Sequence, residues 1–110
     1  MRLPAFVILA SLVSTVSLAA AAPITMTLKN HVFSPATVSV PAGQRVTIQL
    51  INQDIATEEF DSHDLKVEKL VTPGGRTTIS VGPLPAGAYS FMGEFHPKTA
   101  QGKLIVTAER

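Results

Sequence analysis

The sequence predicts an all-β fold, an antiparallel sandwich or barrel, on three observations. Beyond residue 22, apolar residues recur at every second position, which puts one side chain in two on a buried face. Turn residues interrupt those runs about every eight to twelve positions, the spacing of short antiparallel strands. No segment carries a helical period.

Taken in order, Ile24, Met26 and Leu28 alternate with Thr25, Thr27 and Lys29, and Val38 and Val40 follow. Val46, Ile48 and Leu50 alternate with Thr47 and Gln49. Leu65 with Val67, Ile79 with Val81, Tyr89 with Phe91, and Leu104 with Val106 complete the series. Met26 shares the face of Ile24 and Leu28 and reads as core. Pro41-Ala42-Gly43, Pro73-Gly74-Gly75, Gly82 to Gly87 and Gly93 supply the turn chemistry.

Ahead of the first strand, Met1-Arg2, the apolar stretch Leu3 to Val16 and the small-residue run Ser17 to Ala22 have the layout of a secretory signal peptide. Pro4, Ser11, Ser14 and Thr15 interrupt the apolar stretch, which is short for a bilayer span. Cleavage is expected after Ala19 or Ala21, the alternative being a retained N-terminal anchor. The expected division is a leader over 1–21 and one domain over 22–110, with the mature protein in the periplasm. Removing Arg2 takes the nine basic residues to eight, equal to the eight acidic ones, so nucleic acid and anionic membranes are not indicated as partners. The chain has no Cys. Disulfides, thiolate metal sites and thiol catalysis are therefore outside its chemistry.

Two polar regions break the alternation and read as loops at strand ends. Between Leu50 and Leu65 lie Asp54, Glu58, Glu59, Asp61, His63 and Asp64 around a lone Phe60. Between Phe91 and Gly102 lie Met92, Glu94 and His96. Like charges so close repel one another, and a cation would relieve them. A solubilising acidic loop is the plainer reading of the first region.

Here a family resemblance enters. Phe33-Ser34-Pro35-Ala36-Thr37-Val38-Ser39-Val40-Pro41-Ala42-Gly43 resembles the opening of a cupredoxin domain, and Tyr89-Ser90-Phe91, His96-Pro97 and Gly102-Lys103-Leu104-Ile105-Val106 resemble its ligand loop and closing strand. Glu58-Glu59-Phe60 with Gly93-Glu94-Phe95-His96-Pro97 resembles, more narrowly, the EfeO-type cupredoxin-like domains, including small periplasmic proteins of FtrABCD-type ferrous-iron uptake systems. The resemblance implies a Greek-key β-sandwich of about seven to eight strands. It also implies an altered blue-copper site: Glu58 stands at the first His position, Gly93 at the Cys position, His96 at the second His, and Ala100 or Gln101 at the axial position.

Without thiolate, and with a carboxylate for a His, such a site suits Fe²⁺, Fe³⁺ and Cu²⁺, with Mn²⁺ or Zn²⁺ further options. The candidate metal ligands are His96, Glu58, Glu59, Glu94, Met92, Asp61 and His31. His96 and Glu58 carry the motif positions; the ordinary alternatives are a loop His bonded to backbone and a solvated loop carboxylate. Glu59, Asp61 and Glu94 are ordinary surface charge unless they face the same mouth. Met92 has the parity opposite to Phe91, which points outward, and its thioether would suit Cu⁺. His31 lies in a turn before Phe33 that can approach the ligand end, whereas His63 reads as an exposed loop residue.

No G-x-S-x-G motif, phosphate-binding Gly loop or basic patch with interleaved aromatics is present. The expected function is binding of an iron or copper ion as an accessory of iron acquisition. Its expected partners are an inner-membrane iron permease complex or a periplasmic iron-binding protein, and a homodimer is allowed. The alternatives are an Fe²⁺-oxidising metallo-oxidase and a metal-free interaction module.

Overall fold

A computed structural model describes residues 2–5, 8–12 and 22–108. Most of the expected leader, with both cleavage points, lies outside the described residues. Those of its residues that are described are in neither helix nor strand.

Nine strands form two sheets, and among the described residues there is no helix. They are β1 (Ile24–Lys29), β2 (Val32–Ser34), β3 (Thr37–Pro41), β4 (Val46–Asn52), β5 (Glu58–Ser62), β6 (Val67–Val71), β7 (Arg76–Val81), β8 (Gly87–Gly93) and β9 (Gln101–Thr107). One sheet has the order β2-β1-β4-β7 and the other β3-β9-β8-β5-β6. The alternating residues of the sequence become the buried row: Met26 and Leu28 of β1, Ile48 and Leu50 of β4, Ile79 of β7 and Leu104 of β9 are all fully enclosed. The expected β-sandwich is therefore present.

Three details differ from the sequence expectation. There are nine strands, because the short β2 and the acidic β5 also pair. Two pairings are parallel, β1 with β4 and β3 with β9. The chain crosses to the other sheet between β1 and β4, so these strands meet without a hairpin, and a parallel pair needs such a crossover. The third difference concerns residues 58–62, which are strand rather than loop. Glu58, Phe60 and Ser62 point inward, while Glu59 and Asp61 point outward.

That strand fixes the candidate site. Phe60 lies opposite Gly93 of β8 in register. The rings of Phe33, Phe60 and Phe91 form one cluster, with centroids 4.9 to 6.0 Å apart. Each such aromatic pair adds about 0.5–1.5 kcal/mol beyond its buried area. Ser62 anchors the far end of β5: its hydroxyl donates to the Ser90 carbonyl and accepts the Leu65 N–H. One pleat before Phe60, the inward position of the strand is Glu58.

Candidate metal centre

Glu58 is 1% exposed, and both of its carboxylate oxygens have protein partners. Oε1 accepts the backbone N–H groups of Glu59 (3.0 Å) and Phe95 (2.8 Å). Oε2 contacts Nδ1 of His96. A buried carboxylate without such partners would be strongly unfavourable, so the site depends on the loop that brings Phe95 and His96 over it. That loop closes on itself. The N–H groups of Thr99 and Ala100 donate to the His96 carbonyl, Gly93 N–H donates to the Ala100 carbonyl, and the Gln101 amide donates to the Pro97 carbonyl.

Gly93 faces the same carboxylate. A Cβ added there would lie 2.6 Å from Glu58 Cδ and 2.7 Å from the Ala100 Cβ. Glu58 thus fills the space that a side chain at position 93 would need. No thiolate fits there while Glu58 keeps its place.

The third member comes from the β1–β2 turn. The His31 ring stacks on His96 with centroids 3.6 Å apart and planes 10° from parallel. Asn30 and His31 both have positive φ, 52° and 59°. This left-handed conformation is uncommon outside glycine, although Asn and His are enriched in it. Asp54 holds the turn: Oδ1 accepts the Asn30 N–H (2.6 Å) and Oδ2 the His31 N–H (2.9 Å). Asp54 is positioned in turn by the fully buried Asn52, whose Oδ1 accepts the Asp54 N–H and whose Nδ2 donates to the Ala56 and Val71 carbonyls.

One donor atom from each of His31, Glu58 and His96 lies within 4.8 Å of the other two. Two imidazoles and one carboxylate, two of the three residues partly open to solvent, suit a borderline divalent cation. A model of the cupredoxin-like domain matches residues 2–106. The chain belongs to the cupredoxin-like domain family.

The likeness to relatives is consistent with that membership. An uncharacterised protein of Rickettsia prowazekii is 43% identical over 81 residues, 74% of this chain and 65% of the relative. The chain therefore spans a little under two thirds of that relative's length. Auracyanin A, a blue copper protein from Chloroflexus aurantiacus, superposes with a TM-score of 0.67 at 18% identity, over 78% of this chain and 98% of its own. The Cu(I)-bound metal-binding domain of a Cu(I)-exporting P-type ATPase from Streptococcus pneumoniae gives a TM-score of 0.67 at 15% identity, over 77% and 84%. At these identities the superpositions establish the shared fold.

The remaining sequence candidates of this cupredoxin-like chain sit elsewhere. Glu59 and Asp61 project from the outer face of β5, where they form a second group with Glu68, donor oxygens within 4.8 Å of one another. Met92 lies opposite Asp61 in register and is exposed, as its parity implied. Glu94 joins this outer group. A hydrogen bond that the protonated Glu94 carboxyl donates to Asp61, then the charge of Asp61, desolvation, and the charges of Glu59 and Glu68, raise its pKa above the ordinary carboxylate value. His63 is exposed.

The solvated-loop alternative for Glu58 does not hold, because that residue is buried strand. Sequence reading passed over Asn52, Glu68 and the role of Asp54. Asp54 stood in the acidic run but gave no sign that it reaches back to residues 30 and 31.

Proposed function

We propose that this cupredoxin-like protein is a periplasmic metal-binding protein that holds an iron or copper ion at His31, Glu58 and His96 and serves iron acquisition, as EfeO-type domains do. The observation that carries this reading is the buried Glu58 carboxylate, set against Gly93 and in contact with Nδ1 of His96, whose ring stacks on that of His31. Two imidazoles with one carboxylate are also the donor set of non-haem ferrous sites, and oxygen anions favour the higher charge of ferric iron. The export-type leader supports the periplasm. Delivery to a permease complex or a periplasmic iron-binding protein belongs to the same proposal.

A second reading has its own observation in support. Both Glu58 oxygens already have protein partners, and among the described residues no buried side-chain polar atom lacks one. A metal-free interaction module would have this property.

Calorimetric titration with Cu²⁺, Zn²⁺ and, without oxygen, Fe²⁺ separates the two readings. The metal-binding reading expects a dissociation constant well below millimolar that His96→Ala weakens at least tenfold. Absence of binding below roughly 1 mM, about 4 kcal/mol, leaves the metal-free module. Oxygen uptake with Fe²⁺ distinguishes an oxidase from a binder.

A further inference from the structure

Asp54 does more than hold a turn. Besides accepting two successive backbone N–H groups, its Oδ2 lies 3.4 Å from Nδ1 of the His31 ring. The carboxylate is largely buried, with a side-chain exposure of 10% against 40% for His31. The backbone N–H of Asp54 donates to Asn52 Oδ1. At 3.4 Å this is an electrostatic approach rather than a hydrogen bond, and a negative oxygen beside Nδ1 favours a proton there over a lone pair. The neutral ring is therefore biased toward the tautomer with its proton on Nδ1. Its free lone pair is then on Nε2.

We propose that Asp54 is the positioning residue of the metal centre, fixing His31 in the Nδ1–H tautomer so that Nε2 is the donor. The proposal rests on the metal-binding reading given above. Outer carboxylates that orient a ligating His act in this way, and their loss commonly weakens metal binding by about 10- to 100-fold. The backbone follows the same design. The two left-handed residues Asn30 and His31 present their N–H groups to the carboxylate whose edge meets the ring. Backbone and ring are thus set by one side chain from a different strand connection.

Two measurements test this. The first needs neither a variant nor a metal: two-bond proton–nitrogen correlation spectra of the ¹⁵N-labelled metal-free protein, at a pH where the ring is neutral. The Nδ1–H pattern is expected for His31, and an Nε2–H pattern would overturn the proposal. The second is Cu²⁺ titration of Asp54→Asn, which keeps an oxygen for one of the two backbone amides but removes the charge. Binding about 10- to 100-fold weaker is expected. In a His31→Ala background the same substitution should change the affinity less than twofold, a result that a purely structural role would not give. Asp54→Asn within twofold of the unaltered protein, or an equal loss in both backgrounds, rejects the positioning role. The metal reading is judged separately, by His96→Ala: if that variant binds Cu²⁺ undiminished, the site itself is wrong whatever Asp54 does.

Discussion

The carboxylate of Glu58 occupies the space that a side chain on Gly93 would need: a Cβ there would come 2.6 Å from Glu58 Cδ. The two residues are 35 positions apart yet act as one steric unit, on neighbouring strands whose register is set by Phe60 opposite Gly93. Adding atoms to a filled interior is typically destabilising by about 1–3 kcal/mol. Gly93→Ala is therefore expected to lower the thermal midpoint by roughly 5 °C or more, given about 4–8 °C per kcal/mol for a domain of this size. Combining it with Glu58→Ala should give a double variant at least about 1 kcal/mol more stable than the sum of the single losses, the sign of direct coupling. The contact of the new Cβ with Ala100 would keep that relief incomplete. Additive losses in denaturant titrations would show that the two positions do not compete for space.

Asn52 gives the second prediction. It is fully buried and holds three backbone groups, the Asp54 N–H and Ala56 carbonyl of the segment that follows it and the Val71 carbonyl of β6. Removing its side chain leaves those groups unpaired, at about 1–3 kcal/mol for each that stays buried. Asn52→Ala should lower stability by roughly 3 kcal/mol. It should also weaken Cu²⁺ binding, through loosening of Asp54 and so of His31. Calorimetry on the folded fraction checks the second effect, and unchanged affinity would sever the link from Asn52 to the site.

These relationships mark where sequence reading succeeds and where it stops. Alternation located β1, β4, β7 and β9, because each carries at least two successive apolar residues on its buried face. It missed β5, because two of that strand's three inward positions, Glu58 and Ser62, are polar. The parity of Phe60 did imply that Glu58 points inward, and that signal was available. His31 and His96 are 65 positions apart, and their stacking depends on a left-handed turn that sequence pattern does not specify. The narrower candidates Glu59, Asp61, Glu94 and Met92 were legible as a polar group, but not as an outer-face group separate from Glu58. Separating them requires knowing that residues 58–62 are strand.

The outer group sets a pH dependence. Because its surroundings raise the Glu94 pKa above 4.5, the folded form binds the proton more tightly than the unfolded form. The resulting stabilisation is fully present below 4.5 and is lost as pH rises from there through the raised value. Stability of the unaltered protein relative to Glu94→Gln should therefore decrease with pH across that window, and the dependence should shrink at high salt. Denaturant midpoints at a series of pH values provide the comparison. A difference that stays flat would mean that Asp61 and its neighbours do not act on Glu94.

The most direct measurement is anomalous diffraction from crystals of the protein grown with Cu²⁺ or Fe²⁺. The predicted result is one strong peak touching His31, Glu58 and His96, at about 2.0–2.2 Å from the imidazole nitrogens, the distance usual for such ligands. A map with no peak there, or with its peak only at Glu59, Asp61 and Glu68 on the outer face, would contradict the assignment of this site.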